Sequence, residues 1–190
     1  GLTAGSWTCT VTDANACSAS RIITITQPTP ISVGISSQTN VSCNGGSNGA
    51  ASIFASGGTG TLTYNWTPGN PTGDGTASVS GLTVGSWTCT VTDANGCNST
   101  QIFTITQPTV INISATAQSN VSCNGGNNGT ITVNATGGTG AFTYNWTPSG
   151  GTGITATGLI AGTYTCTVTD ANLCTAARSF TITQPTAIVV

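Results

Sequence analysis

The sequence predicts an all-β fold in which antiparallel β-sandwich repeats follow one another along the chain. Three observations support this: a period of about 80 residues, short runs in which apolar and polar residues alternate, and turn residues between those runs. The segment 81–109 repeats 1–29 with 22 of 29 residues identical. Copies this similar are typical of tandem arrays, in which each unit contacts mainly its neighbours.

The period divides the chain into three parts. Residues 1–29 match the C-terminal half of a repeat, 30–109 form one full repeat, and 110–190 form another full repeat plus the start of the next. Because the chain opens in mid-repeat, we expect it to be a segment of a longer polypeptide. We expect only Gln and Pro to part the last strand of one unit from the first strand of the next. Proline fixes its own φ and restricts the preceding residue, so we expect stiff joints and a rod.

Alignment of the two full repeats predicts which side of each strand is buried. Ile53 matches Val133, whereas its neighbour Phe54 matches Asn134, so Ile53 is expected to face inward and Phe54 outward. Six or seven short strands, with turns every 8–12 residues or so and no helical period, predict an antiparallel sandwich. The run Gly-Thr-Tyr-Thr-Cys-Thr-Val at 162–168 resembles strand F of an immunoglobulin domain. The predicted repeat is therefore an immunoglobulin-like β-sandwich of about 80 residues.

The composition excludes most enzymatic chemistry. The chain has no His, Lys, Glu or Met, two Arg and four Asp, so it lacks the usual general acids and bases. A net charge of −2 without any basic run also argues against nucleic acid and anionic membranes as partners. No continuous apolar stretch is long enough to span a bilayer. We expect a protein without enzymatic activity or an obligatory cofactor.

Cysteines are the most informative side chains, because an 80-residue unit is marginally stable unaided. Each full repeat carries three, and the opening half-repeat carries the second and third, Cys9 and Cys17. Their spacing matches no zinc site, so disulfides in an exported protein are the better interpretation. We expect the pairs Cys43–Cys97 and Cys123–Cys174, with Cys89 and Cys166 as buried thiols. The alternative is an immunoglobulin-like pair from Cys43 to Cys89, which frees Cys97 for a neighbouring chain; three cysteines allow three pairings. Cys9, Cys17, Cys89 and Cys166 are the candidates for an additional or intermolecular cross-link.

Two weaker patterns suggest ligands. Asp93-Ala-Asn95, with copies at Asp13 and Asp170, has a spacing that calcium sites use, although one carboxylate per site is few for calcium. Such residues also favour turns by bonding their own backbone. Tyr64 and Trp66 suggest a sugar-stacking platform, but they share the parity of the buried Leu62, which favours core packing.

Several motifs in fixed order resemble the SprB-type repeats of Bacteroidota cell-surface adhesins. They are Val-Ser-Cys-Asn-Gly-Gly, Gly-Gly-Thr-Gly-x-x-Thr-Tyr-Asn-Trp, Gly-Leu-x-x-Gly-x-(Trp/Tyr), Thr-Val-Thr-Asp-Ala-Asn-x-Cys and Ile-Thr-Gln-Pro-Thr. The resemblance implies long surface filaments that serve adhesion and gliding motility. It also implies that Cys43 pairs with Cys97 and Cys123 with Cys174. Cys89 and Cys166 then stand where the family usually has an apolar residue such as Val.

Three functions follow as hypotheses. The first is a stiff spacer in an extracellular filament or adhesin stalk on the bacterial cell surface, whose partners are neighbouring repeats of the same chain. The second is a multivalent module that binds glycans or a surface. The third is a short subunit of a filament, in which the half-repeat 1–29 completes the fold of another copy by strand addition.

Overall fold

The computed structural model describes all 190 residues and contains fourteen β-strands. No helix in it has the length and hydropathy that a membrane crossing requires. The strands are β1 (Gly5–Thr12), β2 (Ser18–Ile25), β3 (Ser32–Thr39), β4 (Gly49–Ser56), β5 (Thr63–Thr67), β6 (Ser78–Leu82), β7 (Gly85–Thr92), β8 (Asn98–Ile105), β9 (Asn112–Ser119), β10 (Gly129–Thr136), β11 (Thr143–Thr147), β12 (Thr155–Leu159), β13 (Gly162–Thr169) and β14 (Thr175–Ile182).

Two compact units make up the chain. The first contains Gly1–Ser37, Ser52–Val79 and Trp87–Ile102, and the second contains Gln38–Ala51, Ser80–Ser86 and Phe103–Val190. The second unit therefore holds the whole of the last repeat. The repeat boundaries expected at 29/30 and 109/110 remain a prediction from the sequence period.

The last repeat is a six-stranded antiparallel sandwich. One sheet has the strand order β12-β10-β9 and the other has the order β11-β13-β14. The first, second and fourth strands thus lie opposite the third, fifth and sixth, which is the arrangement of an immunoglobulin domain without its strand D. The middle repeat has the same order, with sheets β3-β4-β6 and β5-β7-β8. The predicted all-β, immunoglobulin-like class is confirmed.

The core of the last repeat fills the space between its sheets. Trp146 on β11 pairs with Cys166 on β13, and its ring lies 5.9 Å from that of Phe180. Tyr164, two residues before Cys166, donates its hydroxyl to the Ile160 carbonyl at 3.2 Å. That bond matches the tyrosine corner of immunoglobulin domains. The buried set is Ile113, Val121, Ile131, Val133, Ala135, Trp146, Ala156, Leu159, Tyr164, Cys166, Val168, Phe180 and Ile182.

The predicted facing of strand residues is confirmed at the positions that decide it. Ile53 is buried and Phe54 is 54% exposed, because successive side chains on a strand point to opposite faces. Trp66 is fully buried, and Tyr64 on the same strand is half-buried. The half-repeat 1–29 forms the hairpin β1–β2, whose eight residue pairs run from Gly5↔Ile25 to Thr12↔Ser18.

Candidate functional site: the disulfide-linked joint

The clearest candidate site is the joint between the middle and last repeats, all of whose residues belong to the second compact unit. Three segments meet there: the turn 170–174 between β13 and β14, the linker 107–111, and the loop 41–46. Each is built by hydrogen bonds of its own.

The turn 170–174 is organised by the Asp170 carboxylate. Its Oδ1 accepts the backbone N–H groups of Asn172 and Cys174, both at 2.9 Å, and its Oδ2 accepts the N–H of Thr139 at 2.8 Å. Burial opposes ionisation, but the N–H donors of Cys174, Thr139 and Asn172 hold the pKa of Asp170 below its usual range. The carboxylate thus fixes Cys174 against the 137–140 loop.

The linker lies against that same loop because two glycines leave room for it. Gly138 donates its N–H to the Thr109 carbonyl at 2.9 Å. A Cβ on Gly137, whose φ is +82°, would overlap the Val110 carbonyl oxygen. Only a residue without a side chain combines that backbone conformation with so close an approach. The Gly-Gly pair therefore allows the linker to pack directly against the last repeat.

The loop 41–46 is held on the other side of the linker. The Gly45 N–H donates to Gln107 Oε1 at 2.7 Å, and the Asn44 side-chain amide donates to the Pro108 carbonyl at 3.0 Å. The Gly46 N–H closes the loop by donating to the Cys43 carbonyl at 3.0 Å. Cys43 is thereby carried to the turn that bears Cys174.

A disulfide joins Cys43 to Cys174, with a Cα–Cα distance of 5.6 Å and a sequence separation of 131. The expected pairs Cys43–Cys97 and Cys123–Cys174 are therefore wrong, as is the alternative from Cys43 to Cys89. Cys97 and Cys123 are exposed free thiols. The cross-link connects two repeats instead of closing one.

The length of the last strand explains the correction. Cys174 directly precedes β14, whereas the Gly125 N–H in the loop of Cys123 donates to Gln184, which follows β14. Eight extended residues span about 26 Å, and a disulfide requires Cα atoms within about 7 Å. Cys123 and Cys174 therefore lie at opposite ends of one sandwich. The Cys43 loop instead meets the start of the next sandwich.

The remaining cysteines are free thiols of two kinds. Cys9 and Cys17 are exposed, whereas Cys89 and Cys166 are buried, as expected. Burial, with a smaller contribution from the charge of Asp74, raises the pKa of the Cys89 thiol to about 11. Burial likewise raises the pKa of Cys166. Cys166 has the strand F position of the immunoglobulin cysteine, but the facing strand β10 carries Ile131 and Val133 in the core, so no cysteine faces it.

The carboxylates considered for calcium accept hydrogen bonds from backbone N–H groups. Asp93 Oδ1 accepts the N–H groups of Asn95 and Cys97, both at 2.9 Å, and Oδ2 accepts the N–H of Thr59 at 2.9 Å. Asp13 makes the corresponding bonds to Asn15 and Cys17. No group of three or more Cys or Asp side chains is placed to hold a metal ion. Calcium binding by Asp13, Asp93 and Asp170 remains an untested hypothesis.

The aromatic residues considered for glycans are mostly occupied by packing. Trp66 and Trp146 are buried and donate their indole N–H groups to the carbonyls of Thr76 and Gly153. The exposed ring of Phe54 covers Gly34, where a Cβ would overlap it. Neither tryptophan presents a face for sugar stacking.

Sequence reasoning missed the residues that shape the joint. They are Asn44 and Gln107 in the middle repeat and Asn172 in the last, whose side-chain amide donates to the Ser42 carbonyl at 3.1 Å. The sequence does carry one signal for the joint. A strand of eight residues separates each third cysteine from the Gln-Pro pair that follows it, so the cysteine and the Gln-Pro pair lie about 26 Å apart.

Comparison with known proteins identifies the repeat type. Residues 35–71 and 115–151 match the family model of the SprB repeat. One match lies in each full repeat, which confirms the resemblance to SprB-type repeats drawn from the motifs. No protein of curated function matches the sequence.

The solved structures that align with the chain include an array of immunoglobulin domains. The N-terminal eight immunoglobulin domains of Down Syndrome Cell Adhesion Molecule align with 95% of this chain at 12% identity and a TM-score of 0.46, and the chain spans 28% of that structure. A C-terminal fragment of intimin, in complex with the intimin-binding domain of its receptor Tir, aligns with 84% at 14% identity and a TM-score of 0.39, and 64% of that fragment is spanned.

Proposed function

We propose that this chain is a structural segment of an extracellular cell-surface filament or adhesin stalk, in which the repeats act as a stiff spacer. The observation that carries the proposal is the Cys43–Cys174 disulfide, which locks two successive repeats across their joint. Persistent disulfides belong to oxidising compartments, which supports an extracellular location. The SprB-type repeats support a bacterial surface and, by resemblance, a role in adhesion or gliding.

The joint is suited to bear tension. A pulling force applied at the two ends of the chain passes through the sulfur–sulfur bond, so the residues between Cys43 and Cys174 cannot extend. The 131 residues of separation correspond to about 470 Å of extended chain. A polypeptide that must transmit force from an anchor to a distant contact gains from such protection. The composition, which lacks the usual acid–base side chains, supports a structural role and not an enzymatic one.

Single-molecule pulling of the 190-residue chain tests the proposal. We expect the length released on complete unfolding to be about 470 Å shorter in the oxidised protein than in the presence of reductant. Scattering in solution should give an elongated particle whose largest dimension is unchanged by concentration. A compact globule in scattering, or equal released lengths with and without reductant, contradicts the spacer function. Glycan-array binding lost in Phe54→Ala would instead favour a ligand-binding module.

A further inference from the structure

We propose that Cys97 forms a disulfide with the cysteine of a Cys-Asn-Gly loop from another repeat, and that this bond makes a second joint like the one at Cys174. The inference goes beyond the spacer function and does not depend on it. It depends on a comparison between the assembled joint at Cys174 and the matching surface at Cys97, which lies within the first compact unit.

The surface at Cys97 has the same lining as the assembled joint. Pro28, Thr29, Ile31, Gly58, Asp93 and Cys97 line a cleft there, and their counterparts Pro108, Thr109, Ile111, Gly138, Asp170 and Cys174 line the joint. In the joint, Asn44 of the inserted loop also lines the space, and a cavity of about 60 Å³ is left. The cleft at Cys97 measures about 330 Å³. No residue of a Cys-Asn-Gly loop lines the cleft at Cys97.

The cleft is already organised without its disulfide. Cys97 donates its backbone N–H to Asp93 Oδ1 at 2.9 Å, as Cys174 does to Asp170. Gly58 donates to the Thr29 carbonyl at 2.9 Å, as Gly138 does to Thr109. The backbone of Cys97 is thus held by the same hydrogen bond as the backbone of Cys174, which reaches Cys43.

The hydrogen-bond acceptors beside Cys97, which are Gln27 and Pro28, are exposed and unpartnered. Gln107 and Pro108 accept hydrogen bonds from Gly45 and Asn44, and Gln184 and Pro185 accept the same bonds from Gly125 and Asn124. Gln27 and Pro28 occupy the corresponding positions beside Cys97. A Cys-Asn-Gly loop would supply the amide N–H groups that the other two pairs receive.

The Cys-Asn-Gly loop of the last repeat is also formed without a disulfide. The loop of Cys123 keeps its Gly125–Gln184 and Asn124–Pro185 bonds, at 2.8 and 3.0 Å, although its thiol is free. The loop conformation therefore does not depend on the disulfide. The loop of Cys123 makes the same hydrogen bonds as the loop that carries Cys43 to Cys174.

The bond forms by thiol–disulfide exchange. The Cys97 thiolate attacks a disulfide that the loop cysteine has already formed with a second thiol; the Cys97–loop bond forms, and the second thiol leaves as a thiolate that takes the proton lost from Cys97. The oxidant is therefore that mixed disulfide, and two electrons remain on the thiol released.

The first test exposes the folded, oxidised 190-residue chain to a disulfide-linked dimer of a decapeptide with the sequence of residues 39–48. Non-reducing peptide mapping then gives the ratio of modification at Cys97 to that at Cys17, and oxidised glutathione serves as the reference reagent. Cys17 is the matched control, because it has the same Asp turn but no Gly58 equivalent beside it. We expect the ratio to be at least tenfold higher with the peptide than with glutathione.

Two variants locate the effect. Replacing the asparagine that follows cysteine in the peptide by alanine should lower the ratio of modification at Cys97 to that at Cys17. Gln27→Ala in the protein should lower the same ratio. A ratio that is the same for the peptide and for glutathione overturns the inference.

A second measurement uses the protein from its natural source. Non-reducing mapping should link the Asp-Ala-Asn-Gly-Cys97 peptide to a Val-Ser-Cys-Asn-Gly-Gly peptide. Polypeptide mass then identifies the source, since it is unchanged by reduction if the loop belongs to the same chain and falls if it belongs to another chain. A free Cys97, or a link to any other sequence, overturns the inference while leaving the Cys43–Cys174 spacer intact.

Discussion

The side-chain amide of Asn172 donates a hydrogen bond to the main-chain carbonyl of Ser42, 130 residues earlier in the sequence. This bond lies directly beside the Cys43–Cys174 disulfide and joins the same two segments. The joint is therefore held by a polar contact and a covalent one together. The chain also contains a matched control, because Asn95 has the same place in its turn as Asn172.

Replacing Asn172 by alanine should weaken the joint modestly. We expect Asn172→Ala to lower the free energy of unfolding of the oxidised chain by about 1 kcal/mol, the typical net value of one hydrogen bond. Asn95→Ala should have a smaller effect, because only the backbone N–H of Asn95 serves its turn. Denaturant unfolding followed by tryptophan fluorescence measures both. Equal losses in the two variants would show that the Asn172 amide contributes nothing at the joint.

Removing the disulfide should cost far more than removing an equivalent free cysteine. In the chain-entropy model a loop of 131 residues contributes about 5 kcal/mol, so Cys43→Ser should destabilise by up to that amount. Cys123→Ser changes the same loop in the last repeat, where the thiol is free and exposed, and should leave stability nearly unchanged. The comparison is made by denaturant unfolding without reductant, and equal effects of the two substitutions would contradict the pairing.

The sandwich was predictable because its signals are local. Alternation at Ile53 and Phe54 and the repeated turns fix strands and facing without reference to distant residues. The joint was not predictable in the same way, because pairing Cys43 with Cys174 depends on where a loop ends up after the sandwiches have formed. The resemblance to a repeat family implied the same wrong pairs for the same reason: it aligns positions within a repeat and carries no information on which repeats touch.

Leu173 occupies a backbone conformation that suits glycine better. Its φ is +65°, and the matching position in the middle repeat is Gly96 with φ +83°. The side chain of Leu173 is 81% exposed, so its removal takes away little buried apolar surface. We expect Leu173→Gly to stabilise the last repeat by about 1 kcal/mol and Gly96→Leu to destabilise the middle one by a similar amount. Thermal unfolding of both variants checks the pair, and a loss of stability in Leu173→Gly would contradict it.

The Asp turns should make the fold sensitive to acid. Backbone N–H donors lower the pKa of Asp93 and Asp170 despite the opposing effect of burial, so these carboxylates bind protons less readily in the folded state than in the unfolded one. Their contribution to stability is therefore complete above the unfolded pKa of about 4 and is lost as pH falls through the lower folded pKa. Asp170→Asn should reduce stability at neutral pH and flatten its decline in acid. Unfolding curves from pH 7 to pH 2 measure this, and an unaltered pH profile in Asp170→Asn would contradict the assignment.

The two classes of free thiol should react at very different rates. Raising the pKa of Cys89 from an ordinary value near 9 to about 11 leaves about a hundredfold less thiolate at pH 8, and only the thiolate is alkylated. Cys166 is buried in the same way, whereas Cys9 is exposed. We expect iodoacetamide to modify Cys9 promptly and to reach Cys89 and Cys166 only when denaturant opens the sheets, as read by peptide mass spectrometry. Modification of Cys89 in the native protein at the rate of Cys9 would mean that the sandwich opens readily, and both buried cysteines would then be available for cross-links between chains.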